Sequence, residues 1–259
     1  GSRDEWRMVE ADGFPNPVPG CIYDGARLDG GVPLGGLGTG YFTLEGTGKI
    51  GFCSIYNDIV PPRSDFAEWL TVRVGETQMP LSTATIAYWG HFPVADLVAH
   101  FAEEPLTLGL RAFSPFVVGD AGDSNIPAVL FEVEVRNRGD APKDVTLSVL
   151  PPAPTADKKG TVALLGDGLA ADSDSSRLRG TIQATVPAQG SWRVRFVFAW
   201  YYPYWRDSGS EAHVNRYAGR YENAEAVAQD ALKRFDTLLG RVLAWQQVIY
   251  ESDLPEWLR

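Results

Sequence analysis

The stretch AVLFEVEVRNRG, residues 128–139, constrains the fold more than any other. Val129, Phe131, Val133 and Val135 take every second place, with Glu132, Glu134 and Arg136 between them. Side chains alternate across a strand, so this period places one face in a core and the other in water. An antiparallel sandwich has such strands; a parallel sheet buried on both faces does not. The alternation recurs in AEWLTVRVG, TATIAYWG, LTLGLRAF, DVTLSVL, RLRGTIQATV and SWRVRFVFAWYY. NRGDAPKD, residues 137–144, joins two strands through Asn, Gly, Asp and Pro, each with its own turn geometry. About ten or more strands at short spacing predict a mainly β fold, a two-sheet antiparallel β-sandwich. PPAPTADKKG and ADSDSS, within residues 151–176, read as a polar surface connection.

The period changes at Asn223. Val227, Ala228, Ala231, Leu232, Phe235, Leu238, Leu239, Val242, Trp245, Val248 and Ile249 recur at threes and fours. This predicts one long C-terminal amphipathic helix, capped by Asn223 and ended by Asp253 and Pro255. Gly240 weakens it by about 1 kcal/mol. The inner faces of a sandwich already cover each other. So long a stripe therefore calls for an outer sheet face, a partner (a homodimer through residues 223–250 included), or a further domain. The expectation adopted is the further domain, with the chain incomplete as it stands. The division expected is a β-sandwich over 1–220 and a linker helix over 221–259.

GGVPLGGLGTG, residues 30–40, holds six glycines in eleven positions. A phosphate loop of the G-x-x-x-x-G-K-[ST] kind needs a lysine after its last glycine, and here Tyr41 follows Gly40. The dinucleotide fingerprint needs glycines at i, i+2 and i+5, whereas Gly36, Gly38 and Gly40 fall at i, i+2 and i+4. With sheet-like sequence after it, the stretch predicts a strand face without side chains, against which another backbone or a ring lies close. Lining the mouth of a neighbouring active site is the functional alternative.

A net charge of −10 repels phosphate backbones and anionic membranes, which argues against nucleic-acid and membrane-surface partners. No apolar run approaches the ~20 residues of a membrane span. GSRDEW at the start lacks a leader pattern, so the compartment stays open: a soluble protein, cytoplasmic or exported with its leader removed. Cys21 and Cys53 are too few for a disulfide framework or a four-cysteine zinc site. They read as buried thiols or as a cross-sheet pair. No cofactor is expected.

Seven blocks, in order, resemble one family. GVPLGGLGTGYFT is similar to the opening signature of glycoside hydrolase family 116, the non-lysosomal glucosylceramidase and bile-acid β-glucosidase group. The resemblance continues in IGFCSIYN, GHFPVADLVAHF, AFSPFVVGDAGDSNIPAVLFEVEVRNRGD, FVFAWYYPYWRD, HVNRYAGRY and RVLAWQQVIYESDLPEWLR. It implies an N-terminal β-sandwich and a linker helix leading to an (α/α)6 barrel that carries a glutamate nucleophile and an aspartate acid/base. It also implies a β-glucoside or glucosylated lipid as substrate of the whole enzyme. No position here matches the motifs of those carboxylates, so no catalytic residue is assigned. The connection between DVTLSVL and RLRGTIQATV is shorter than in eukaryotic members of the family.

Candidate binding residues follow from side-chain chemistry. Trp200, Tyr202, Tyr204 and Trp205 supply flat faces beside Arg206 and Asp207, suited to stacking on sugar rings and hydrogen-bonding hydroxyls. The competing reading makes them an interface anchor, since Tyr, Trp and Arg dominate buried interfaces. His213 precedes Arg216, Tyr217 and Arg220 and is either a surface or hydrogen-bonding histidine or a substrate contact. Tyr204, Trp205, Arg206 and His213 form the substrate-binding set. His91 and His100 lack a third ligand for a metal, and Asp120 with Asp123 and Asp172 with Asp174 do not follow the EF-hand spacing, so no metal is assigned. A freestanding carbohydrate-binding module is the alternative function.

Overall fold

The computed structural model describes residues 7–12, 14, 18–20, 23–24, 30–57, 63–152, 160–172, 178–206, 209 and 211–255. A seven-stranded antiparallel sheet is the middle layer. Its order is Thr161–Gly166, Ser191–Tyr201, Ala128–Asn137, Leu106–Phe113, Val94–His100, Thr85–His91, Tyr23–Asp24. A five-stranded sheet runs Ala170–Asp172, Arg179–Val186, Lys143–Val149, Leu70–Val74, Thr77–Pro80. A four-stranded sheet runs Gly31–Leu34, Phe42–Glu45, Ile50–Cys53, Arg63–Phe66. Two small ribbons pair Arg7–Val9 with Val18–Gly20 and Tyr204–Arg206 with Ala212–Val214. The fold is mainly β and sandwich-like, as the alternation predicts, with one sheet more than the two expected.

Alternate residues of the middle sheet build the main core with the two smaller sheets. Val129, Phe131, Val133 and Val135 point into it together with Val194, Phe196, Phe198 and Trp200. Phe131 joins the three sheets. Its ring lies 4.7 Å from Phe196, 5.5 Å from Trp69 at the start of Leu70–Val74, and 6.5 Å from Phe42 of the four-stranded sheet. Residues 151–176 are not only a connection. Thr161–Gly166 is an edge strand of the middle sheet and Ala170–Asp172 an edge strand of the five-stranded one. Thr161–Gly166 reads TVALLG, an apolar run set between the polar stretches PPAPTADKKG and ADSDSS, whose composition dominates the segment.

The outer face of the middle sheet is divided. One end carries a ladder of charges, Asp96, Arg111, Glu132 and Arg195, directly opposite one another on four neighbouring strands. The other end is apolar, with Val94, Phe113, Leu130, Val197 and Ala199. The C-terminal helices lie on that end. Two helices form where one is expected: after the single turn α1 (Ala121–Ser124) come α2 (Ala224–Lys233) and α3 (Phe235–Tyr250). Asn223 caps α2 as predicted, its Oδ1 accepting from the Ala226 amide at 2.9 Å. The break is at Arg234, whose backbone leaves the helical region at φ −101°, ψ 12°. The break aims Phe235 edge-on at Phe113 with ring centroids 5.2 Å apart, beneath the Arg195 guanidinium at 4.4 Å.

The apolar stripe is therefore covered within the chain. Val227, Ala228, Ala231, Phe235, Leu238 and Val242 are buried against the outer sheet face, each large side chain contributing roughly 1.5–3 kcal/mol. Of the three coverings the stripe calls for, the structure supplies the outer sheet face, so the stripe does not by itself require a further domain. Of the expected stripe only its end overhangs: Val248 is 71 % exposed. Among the described residues no helix is long and apolar enough to cross a membrane.

Candidate functional site

The glycine stretch is a loop between Gly31–Leu34 and Phe42–Glu45, and not the strand face expected from its alternation. The expectation of close backbone approach holds in this other form. A Cβ on Gly36 would lie 2.3 Å from the Ile126 carbonyl oxygen, and one on Gly40 2.6 Å from that of Ser54. Gly40 also has φ +86°, which side chains disfavour. Around the loop, Leu37 donates its amide to the Ser124 carbonyl at 2.6 Å and accepts from Asn125 Nδ2 at 2.7 Å. From below, the buried Trp200 donates Nε1 to the Thr39 carbonyl at 2.7 Å.

That support reaches back to the helices. Asp120 caps α1, accepting from the Asp123 amide at 3.0 Å. The Asp123 carboxylate receives Arg220 at 3.3 Å and Arg234 and Arg241 at 2.5 Å each; Arg241 also reaches Asp120 at 3.0 Å. Burial pushes the Asp123 carboxyl up, but hydrogen bonds and charge from Arg234, then Arg220, outweigh it and hold it below the usual range. Asp120 and Asp123, weighed in the sequence as cation ligands, hold guanidinium groups. His91 pairs with Asp96 at 3.0 Å, and Arg111 grips the same carboxylate at 2.8 and 2.9 Å. His100 lies 3.4 Å from Thr107 Oγ1. Among the described residues no cluster of three potential ligands exists for a metal.

Opposite the glycine loop stands the ribbon of Tyr204–Arg206 and Ala212–Val214. Three donors converge at its base on the Tyr202 carbonyl: Tyr217 OH at 2.7 Å, Asn57 Nδ2 at 2.8 Å and Asn215 Nδ2 at 2.9 Å. Asn57 Nδ2 also reaches the Tyr204 carbonyl at 3.0 Å. Burial pushes the Tyr217 hydroxyl up to about 12, so it keeps its proton and remains a donor. Trp205 pairs across the ribbon with His213, and their rings stack at 4.5 Å, 26° apart. By alternation Tyr204 and Arg206 project from the other face.

Loop and ribbon enclose an open cleft of about 740 Å³. The glycine loop forms its floor from Pro33 to Tyr41, and Ser54, Asn57, Phe92, Trp205 and Asn215 complete it. Among the described residues none that lines the cleft is charged. The structure thus brings together the two stretches singled out in the sequence, but it sorts their residues. Trp205 lines the cleft and is 38 % exposed; Tyr204, 72 % exposed, Arg206 and His213 are not among the lining residues. Trp200 and Tyr202, expected as stacking faces, are core residues instead. Asp207, Asp174 and Cys21 lie outside the described residues; Cys53 is buried. Phe92, Asn57 and Asn215 were not singled out in the sequence. Asn57 has φ +60°, a conformation for which asparagine is the usual non-glycine choice, but the surrounding IYND shows no turn pattern strong enough to announce it.

The family described as "beta-glucosidase 2, glycosyl-hydrolase family 116 N-term" matches residues 31–177, more than half of the 259-residue chain. The matched span includes the glycine loop, Asn57, Phe92 and α1 and ends before Trp205, α2 and α3. Comparison with curated proteins finds no match. Among solved structures, one named as a kojibiose phosphorylase from the human microbiome is similar at a TM-score of 0.44 and 7 % identity, over 91 % of this chain and 33 % of that one. The chain thus spans about a third of that protein's length. By the match over residues 31–177, this chain belongs to the glycosyl-hydrolase family 116 N-terminal domains.

Proposed function

We propose that this chain is the non-catalytic N-terminal domain of a retaining β-glucosidase of the glucosylceramidase-like kind. In this reading it braces an (α/α)6 catalytic barrel, and its glycine-floored cleft forms part of the wall of the substrate pocket. The carrying observation is the cleft itself. The family's matched span supplies its floor, and the described residues of the lining are uncharged. Retaining hydrolysis needs two carboxyl groups about 5–5.5 Å apart. The described lining offers neither, and in this reading both groups come from the barrel. The natural substrate would be a β-glucoside, with a glucosylated lipid as one form.

The test compares the purified chain with the product of the complete open reading frame on an aryl β-glucoside. Turnover is expected from the longer protein and none from the chain. Turnover by the chain, freed of contaminating enzyme, would sink the reading; so would a reading frame without a long helical region after Arg259. In the second case the exposed Trp205 favours a freestanding carbohydrate-binding module.

A further inference from the structure

We propose that Asp167–Gly168 is a self-modifying site, where the Asp167 carboxyl isomerises through a cyclic imide to an isoaspartyl link. The site is separate from the cleft and does not depend on the reading above. Four Asp-Gly pairs occur in the sequence, at 12–13, 24–25, 29–30 and 167–168. Only the last has both members among the described residues.

The turn at this pair meets what the chemistry needs. Asp167 and Gly168 are exposed, and the Leu169 amide closes the turn on the Gly166 carbonyl at 3.2 Å. The Asp167 amide is engaged by the Arg195 carbonyl at 3.0 Å. Among the described residues its carboxyl group has no hydrogen bond or ion pair, and the Gly168 amide donates to nothing. Electrophile and nucleophile are both unengaged. Gly168 has φ +67°, and a Cβ there would meet nothing within 4 Å. With neither a side chain nor a neighbour in the way, the peptide plane between the two residues can rotate to bring its nitrogen onto the carboxyl carbon.

Asp12 provides the contrast. It too precedes a glycine, but Arg136 and Arg138 grip its carboxylate. The Arg138 hydrogen bond above all holds that carboxyl below the usual range, so the protonated acid that cyclises is rarer there.

The reaction balances with water alone. The Gly168 nitrogen attacks Cγ of the protonated Asp167 acid; a C–N bond forms, and the hydroxyl leaves as water with the amide proton. Water then opens the ring at its α-carbonyl. The main chain now runs through the side-chain carbonyl, one methylene longer, and the α-carboxylate becomes the side group.

That extra atom falls at a sensitive place. The turn joins Thr161–Gly166, an edge of the seven-stranded sheet, to Ala170–Asp172, an edge of the five-stranded one. Leu169 between them packs on the main core. Ala170–Asp172 has only three residues, all exposed, and pairs with Arg179, Gly180 and Thr181. A longer turn displaces Leu169 and unpairs this short strand.

The test is a warm incubation of the chain for several weeks at mildly acidic pH. Peptides are then mapped by mass spectrometry with electron-transfer fragmentation, which distinguishes the two linkages; guanidinium-unfolded chain is the positive control. We expect isoaspartate at 167 to reach several times its level at 12, preceded by a peptide lighter by one water. Amide exchange at Ala170–Asp172 should speed up in the aged chain, with no change at Val133. Asp167→Glu keeps the charge but needs a six-membered imide, which closes far more slowly, so it should show neither effect. No isoaspartate at 167 in the folded chain, a level at 12 equal to that at 167, or exchange at Ala170–Asp172 that is unchanged or equally faster in aged Asp167→Glu would each overturn the proposal.

Discussion

Gln246, a polar residue 2 % exposed on the buried face of α3, donates its Nε2 to the His91 carbonyl at 2.6 Å and to the Phe92 carbonyl at 3.2 Å. The helix is thereby tied to the turn that carries a cleft-lining ring. Substituting Gln246→Leu keeps the volume roughly constant but leaves two carbonyls without this donor. We expect a loss of about 1–3 kcal/mol in urea unfolding, the usual cost of stranding buried polar groups.

Asp96 is fully buried between His91 and Arg111. Burial pushes its carboxyl up, but the Arg111 charge and the hydrogen bonds from His91 and Arg111 outweigh this and set it at about 2, against an ordinary 3.8. Between those values the unfolded chain binds more protons than the fold. The contribution of about 2 kcal/mol is thus complete above roughly pH 5 and is lost as pH falls through 4 towards 2. Unfolding free energy measured from pH 6 to pH 2.5 should drop through this window. In Asp96→Asn the part of the slope due to this residue should be missing, from a lower starting stability.

Asp123 is the shared ion-pair partner of Arg220, Arg234 and Arg241, and its turn holds Leu37 of the glycine loop. Asp123→Ala removes the carboxylate the three share, leaving Arg220 and Arg234 to Asp230 and Arg241 to Asp120. Since those arginines are partly exposed, solvent screens the effect, and we expect a loss of about 2–3 kcal/mol rather than the larger cost of a wholly buried pair. Amide hydrogen exchange at Leu37 should speed up beyond the change at core amides such as Val133. Uniform acceleration would separate the helices from the loop.

Two glycines should respond in opposite directions. Gly36→Ala forces a Cβ to 2.3 Å from a backbone oxygen and should destabilise by about 1–3 kcal/mol. Gly240 lies exposed within α3 with nothing within 4 Å of its Cβ position, so Gly240→Ala should stabilise by about 1 kcal/mol. Thermal melts of the two variants against the parent check both.

Alternation at Val129, Phe131, Val133 and Val135 was enough to predict a mainly β sandwich, because a period of two has one structural meaning when the odd positions are all apolar. The helical period after Asn223 was equally plain. Its partner was not, since a hydrophobic stripe states that a surface will be buried without stating which surface. The outer ends of the strands hold that answer: Ala128 and Leu130 share a face with Glu132 and Glu134, and Val197 and Ala199 share one with Arg193 and Arg195. Apolar ends and charged middles mark where helices cover the sheet, but they coincide only once the strands are set in register. The cleft was half legible. Its glycines and Trp205 stood out by residue type, while Phe92, Asn57 and Asn215 are ordinary residues on separate segments that only folding brings together.

Local periodicity, turn chemistry and the helix cap at Asn223 were determined by the sequence alone, since each depends on neighbours within a few residues. The tertiary structure decided that α2 and α3 close on the chain's own sheet, that the glycines form a loop, and that Trp205 rather than Trp200 meets solvent. Those outcomes depend on strand register and on packing between segments as far apart as Thr39 and Trp200. Such contacts are set by the shape and hydrogen-bond demands of the whole core, which no short window of residues contains.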